Sequence, residues 1–337
     1  MNRFHFPDSG DLIGAHLSTK GGLHTVFERA TAIDASAIAL FAKNSNQWKG
    51  KVLTDEDCAL FHEKRNVKPL LTHASYLINL ATNNAEFHRK SLDALIDELD
   101  RAERIGAYAV VLHPGAHMGA GVDAALEQIA RSFDTIHRAL PDHRVVTLLE
   151  TAAGQGSCVG CTFEELGRIR RLVDDPSRIG ICIDTCHIFA AGYDIRTERH
   201  YERTVAEIEQ HVGIENVGAF HLNDSKKGCG SRVDRHQHIG EGELGLEPFR
   251  LLLNDARFRF VPKLLETPKT IETESDRKNM ATLRSLIGCS SEELAARQPS
   301  HCDQQAFPLD SAHDDRPNSE AVQRHAYRLQ ERGDQRP

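Results

Sequence analysis

"IGICIDTCH", residues 179–187, stays apolar from Ile179 to Ile183, turns acidic at Asp184 and reaches a histidine at His187. A half-buried strand alternates polar and apolar residues. This run does not, and its β-branched residues suit a strand covered on both faces, as in a parallel sheet. Seven further runs of this kind recur: "DLIGAHLS" (11–18), "AIALFAK" (37–43), "VKPLLTHA" (67–74), "YAVVLHPG" (108–115), "RVVTLLET" (144–151), "VGAFHLND" (217–224) and "VPKLLETP" (261–268). Amphipathic stretches separate them. In "SLDALIDELDRAERIG", Leu92, Leu95, Ile96, Leu99, Ala102 and Ile105 share one helical stripe, and Gly106 supplies the stop. In "CTFEELGRIRRLV", Thr162 and Glu165 have capping-box spacing. Eight strands alternating with helices predict an α/β fold of the (β/α)8 TIM-barrel type. A doubly wound sheet is the alternative, but it does not account for the residues on which these runs end.

Nearly every run ends in a polar or ionisable residue: His16, Lys43, His73, His113, Glu150, Asp184, His221 with Asp224, and Glu266. In a barrel these C-terminal ends converge on one rim, where active sites of this fold sit. The segment "SRVDRHQHIGEGELG" (231–245) adds Asp234, His236 and His238. Asp234 and His236 are two apart, so an extended segment points both to one side.

The formal net charge of −8 argues against a generic electrostatic grip on nucleic acid or anionic membrane, although bound divalent cations would offset it locally. The first residues lack a signal-peptide pattern, and no apolar run is long enough to span a bilayer. Eight scattered cysteines suit free thiols in a reducing cytoplasm better than a disulfide framework. Cys158 and Cys161 make a lone CxxC; a redox or metal role there is the less favoured reading, because no second pair follows at zinc-ribbon spacing. The catalytic domain is expected over 1–287. Residues 288–337 read as a polar, disordered tail with at most a short helix near 319–332, and His301 and Cys302 are bystanders in it.

His73, His113, Glu150, Asp184, His187, His221, Asp234, His236 and Glu266 form a mixed imidazole and carboxylate set. It suits zinc, with manganese or iron also compatible, and holds more ligands than one four-coordinate ion uses. Two or three ions sharing a carboxylate would account for them, and such centres specialise in displacement at phosphorus. A single strand-end histidine is more often a hydrogen-bonded rim residue, and His16, His24 and His62 are left out on that ground. His238 is a candidate supporting group. The cations at 226, 227, 232 and 235 would normally face solvent, but beside a metal rim they could meet phosphates. Tyr76, Leu77 and Trp48 follow strands 3 and 2, either as packing or as wedges into a distorted duplex.

The segments "GAHLSTKGGL", "FAKNSNQW", "SYLINL", "VVLHPG", "LLETAAGQGS", "CIDTCHIFAAGYD", "FHLNDSK", "SRVDRHQHIGEGELG" and "LLETPK" occur in the order found in endonuclease IV. The chain therefore resembles that zinc-dependent apurinic/apyrimidinic endonuclease family from about residue 12 to 285. The resemblance implies three Zn2+ ions: His73, His113 and Glu150 on the first, Glu150, Asp184, His221 and Glu266 on the second, and His187, Asp234 and His236 on the third. It implies a bridging hydroxide at Glu150 that cuts 5′ to an abasic site, leaving a 3′-hydroxyl and a 5′-deoxyribose phosphate. Processing of blocked 3′ ends, double-stranded DNA as partner and a monomeric state are implied with it. Arg232 and Arg235 would contact DNA with Tyr76, Leu77 and Asn46. Asn46 stands where the family usually has an arginine, and Thr151 and Ala152 replace the residues usually beside the bridging glutamate.

Overall fold

The computed structural model describes residues 11–297, except 68 and 270–272, together with Phe4 and Phe6. Eight parallel strands close into a barrel: Ile13–Leu17 (β1), Ala37–Leu40 (β2), Leu70–His73 (β3), Ala109–Leu112 (β4), Val146–Glu150 (β5), Ile179–Asp184 (β6), Val217–Leu222 (β7) and Lys263–Leu265 (β10). A separate short antiparallel ribbon of Asp224–Ser225 (β8) and His236–Gln237 (β9) is formed by the connection from β7 to β10, which themselves pair directly. Each apolar run yields one barrel strand that stops short of the run's C-terminal end. The strands from β2 to β7 are buried along their whole length, as an interior parallel sheet requires.

The helices form as their sequences dictate. The 92–105 stripe belongs to the helix Ala85–Arg104, capped by the Asn84 side chain and followed by Gly106 at φ 69°. Thr162 caps Phe163–Leu172 by accepting from the Glu165 amide at 3.2 Å. The reciprocal half of the expected box is replaced. The Glu165 carboxylate accepts instead from the amides of Gly160 (2.7 Å) and Cys161 (3.0 Å), clamping the preceding loop.

Two apolar layers result. One lies between strands and helices; the other fills the barrel interior with Ala37, Ala39, Leu71, Ala109, Val111, Val146, Leu148, Cys182, Ala219 and Leu264. Phe4 plugs this inner layer, and a Cβ on Gly180 would stand 2.7 Å from both the Phe4 ring and the Leu148 side chain. Side chains alternate along a strand, so the residue two beyond an inward one also points inward. Leu71 is followed in this way by His73, Val111 by His113, Leu148 by Glu150, Cys182 by Asp184, Ala219 by His221 and Leu264 by Glu266. The same period that fills the core therefore delivers six ionisable groups to the top of it.

Cys289 and Leu294 join the helix-side core, and a helix runs Ser291–Arg297, so packed chain continues ten residues past 287. Residues 298–337, with the helix read near 319–332, lie outside the described residues. No described helix is long and apolar enough to cross a membrane.

Candidate metal centre

Glu150 ends β5 with no exposed surface. Its Oε2 lies 3.1 Å from His73 Nε2 and 3.3 Å from His113 Nε2. Its Oε1 lies 2.7 Å from His221 Nδ1, which is itself 3.2 Å from Glu266 Oε2. One carboxylate thus faces two clusters. Asp184, also fully buried, caps the helix Thr185–Ala191 by accepting from the His187 amide at 2.9 Å. That cap turns the chain so that His187, one helical turn on, faces the same rim.

Asp234 and His236 arrive from the loop before and at the start of β9. Asp234 lies 3.3 Å from His187 Nε2 and 3.1 Å from His236 Nε2. The Nε2 atoms of His187 and His236 are 3.4 Å apart. The far side of this ribbon is organised by buried Asp224, whose carboxylate accepts from the amides of Gly240 (3.0 Å), Gly242 (3.0 Å) and Leu244 (2.9 Å). Asp224→Ala would leave these amides unpaired. It is expected to cost about 3 kcal/mol of stability, read as a lower denaturant midpoint; an unchanged midpoint would show that water satisfies the loop.

The imidazoles are aimed by their second nitrogens. The Nδ1 atoms of His73, His187 and His236 lie 2.8, 2.9 and 3.1 Å from the carbonyl oxygens of Ala74, Thr151 and Glu266. A carbonyl only accepts, so Nδ1 carries the proton and Nε2 faces the cluster, the arrangement that metal-ligating histidines use. Burial pushes His113 down to about 4, which leaves it neutral near pH 7. Burial opposes a charge on His236, but Asp234 and Asp184 outweigh it and lift this group to about 10. Burial likewise disfavours the Glu150 carboxylate, yet His113 and His221 hold its pKa well below the ordinary range.

Among the described residues, the ion-pair partners of Glu150 and Asp184 are all histidines. Buried carboxylates cost several kcal/mol each unless compensated, and without a cation imidazoles such as His187 and His236 compensate by holding protons on the nitrogens a metal would use. Cations at this rim resolve both demands, so the residues fit a metal centre. Among the described residues, five groups of candidate ligands have donor atoms within 4.8 Å of one another. Three of them use only the nine expected residues: His73–His113–Glu150, Glu150–Asp184–His221–Glu266 and His187–Asp234–His236. The other two enlist Cys182 or Cys186, whose thiols burial pushes up to about 12.

Several supporting groups flank the ligands. His16, left out of the ligand set as a hydrogen-bonded rim residue, takes that role: its Nδ1 lies 3.0 Å from Glu266 Oε1 and so orients that carboxylate. Asn223 donates to Asp184 Oδ2 at 2.6 Å, and Thr151 Oγ1 accepts from the Asp184 amide at 2.9 Å. His238 stands off from the clusters, 3.0 Å from Asn279 Nδ2. Trp48 packs against the core beside Phe87.

The expected DNA-facing residues surround the centre unevenly. Tyr76 is half-buried, its ring 5.5 Å from that of His73 and 6.2 Å from that of His113. Asn46 is exposed on the neighbouring loop, which the Tyr76 amide joins through the Ser45 carbonyl at 3.2 Å; Leu77 follows, half-buried. Arg232 is exposed with left-handed backbone at φ 54°, and the Arg235 guanidinium donates to the Asp234 carbonyl at 2.9 Å.

The family described as Xylose isomerase-like TIM barrel matches residues 27–286. A probable endonuclease 4 of Geobacter sulfurreducens is 46% identical over 280 residues, covering 82% of this chain and 95% of that one. The chain belongs to the endonuclease IV family. Membership makes it a DNA-repair endonuclease, the class the sequence resemblance implied. The crystal structure of endonuclease IV from Thermus thermophilus superposes with a TM-score of 0.72 at 35% identity, covering 81% of this chain and 98% of that one. A D-tagatose 3-epimerase-like protein, at 19% identity and a TM-score of 0.65 over 84% of this chain and 99% of that one, shares the barrel. The doubly wound alternative is excluded by the closed strand order.

Proposed function

We propose that this endonuclease IV family member hydrolyses the phosphodiester 5′ to an abasic site in double-stranded DNA, leaving a 3′-hydroxyl and a 5′-deoxyribose phosphate, and that it also clears blocked 3′ ends. The observation that carries the reading is one fully buried carboxylate, Glu150, shared between two ligand clusters with a third beside them. His73, His113 and Glu150 would hold one zinc ion, Glu150, Asp184, His221 and Glu266 a second, and His187, Asp234 and His236 a third. The ligand types also admit Mn2+ or Fe2+. Bound there, the ions supply an activated water near neutral pH and charge stabilisation for the leaving oxygen.

The chain's own part is positioning. Backbone carbonyls fix three imidazoles, His16 fixes Glu266, and Asn223 with Thr151 fixes Asp184. The Tyr76 hydroxyl is neutral near pH 7 at its ordinary pKa, which burial raises further, so it offers a neutral donor beside His73 and His113. Arg232 and Arg235 would meet phosphates, while Asn46, Tyr76 and Leu77 line the opposite loops. A flipped abasic nucleotide costs less to extrude than a paired base, which is the basis for sparing intact DNA.

The test is cleavage of a duplex oligonucleotide carrying one abasic-site analogue, beside an undamaged control. A single cut leaving a 3′-hydroxyl supports the reading; no cut by metal-replete protein contradicts it. Asn46→Arg is expected to tighten binding to abasic duplex by about tenfold, through a phosphate contact or insertion at the lesion. Unchanged affinity in a titration would mean that recognition rests on other loops.

A further inference from the structure

The loop after Glu150 carries a feature that phosphodiester hydrolysis does not use. The Sγ atoms of Cys158 and Cys161 lie 3.1 Å apart, both half-buried and both free thiols. We propose that this pair is a redox-active dithiol on the DNA-facing rim, closed to an intramolecular disulfide by a small-molecule disulfide, and that closure weakens DNA binding. The second clause rests on the function proposed above; the first does not.

The backbone around the pair is pinned, which holds the sulfurs against each other. The Val159 amide donates to the Gly115 carbonyl at 2.9 Å, the His117 amide to the Ser157 carbonyl at 2.9 Å, and the Ala152 amide to the Gly160 carbonyl at 2.9 Å. Glu165 clamps the Gly160 and Cys161 amides from the other side. Forming a bond of about 2.05 Å therefore needs roughly an ångström of side-chain approach. Gly154, Gly156 and Gly160 have φ of 89°, 55° and 89°, conformations glycine adopts without strain, so the turn between the pins can accommodate it.

The two sulfurs are unequal. The two thiols share a hydrogen bond in which either sulfur can donate; that bond, with the Gly154 and Gln155 amides beside Cys158, lowers Cys158 from its ordinary value and suits it to attack first. Its thiolate attacks one sulfur of the small disulfide, forming a mixed disulfide and expelling one thiolate. Cys161 loses its proton to solvent, attacks the Cys158 sulfur and expels the second thiolate. Two protein thiols are oxidised and one small disulfide is reduced to two thiols.

The link to DNA runs through Arg232. Its side chain crosses Gly154, close enough that a Cβ there would stand 3.3 Å from Cγ, and its charge acts on Cys161. Tightening the 154–161 turn shifts the surface on which Arg232 rests.

The experiment equilibrates the zinc-loaded full chain in a series of reduced-to-oxidised glutathione ratios, quenches with acid, alkylates free thiols and maps the peptides by mass. The expected result is a 158–161 disulfide in wild type and none in Cys158→Ser. With abasic duplex, oxidised wild type should show a KM several-fold higher, kcat within twofold and recovery with reductant, while Cys158→Ser ignores the oxidant. The dithiol is overturned if both cysteines stay alkylatable or only glutathione adducts accumulate. Its effect on DNA is overturned if the disulfide forms and KM does not move. Failure of the reduced protein to cut would overturn the functional reading and the DNA clause together, while the mass map still decides the dithiol.

Discussion

Glu150→Gln should lower kcat on abasic duplex by about three orders of magnitude, the equivalent of roughly 4 kcal/mol of transition-state stabilisation. The residue is the one carboxylate common to two clusters, with Oε2 toward His73 and His113 and Oε1 toward His221. An amide keeps the shape but loses the charge, and its NH2 turns one ligand atom into a donor. The barrel should survive in metal-loaded protein, where the ligand histidines face cations, whereas in metal-free protein the change leaves His221 with Glu266 as its remaining carboxylate and should lower the melting temperature. Turnover on a lesion-bearing oligonucleotide, with thermal melting as the folding control, checks this prediction. Wild-type turnover in a folded variant would sink the assignment of Glu150.

Removing the metal is the second large effect. Chelation should abolish incision, and the affinity with which metal is recovered should fall as pH falls. The sign is set by the imidazoles. His236 is lifted to about 10 by Asp234 and Asp184 against burial, and His187 is raised by the same acids, so both hold protons near neutrality when no cation is present. A proton on Nε2 must leave before that nitrogen can act as a ligand. Each unit of pH lost between about 8 and 6 should therefore weaken binding by at least about tenfold. Titration against a competing chelator at several pH values measures it, and a flat profile would mean that the histidines of the third cluster are not ligands.

Much of this site was legible in the sequence because the fold decides it by parity. Once a run such as "VVLHPG" is a barrel strand, His113 must follow Val111 onto the inner face, and the same logic places Glu150 and Asp184. Of the third cluster, the two-residue spacing of Asp234 and His236 put both on one side and His187 followed a strand end, while their grouping on one ion came only with the family resemblance. What was not legible depends on contacts between distant segments. His16 is 250 residues from Glu266; its place at the end of the first strand brings it to the rim, as His24 and His62 are not brought, but nothing near it in sequence says which carboxylate it meets there. Asp224 was read as one more strand-end acid, yet its carboxylate is spent on the amides of Gly240, Gly242 and Leu244. The Glu165 side chain was expected to close a capping box and instead holds the loop that carries the CxxC. In each case a polar side chain had several partners available, and only the folded chain selects among them.

The most direct test of the metal centre is a crystal of zinc-replete protein measured on either side of the zinc absorption edge. Three anomalous peaks are predicted: one among His73, His113 and Glu150, one among Glu150, Asp184, His221 and Glu266, and one among His187, Asp234 and His236. A single peak, or density at Cys182 or Cys186 in place of these clusters, would contradict the shared role of Glu150 at the heart of the proposed chemistry.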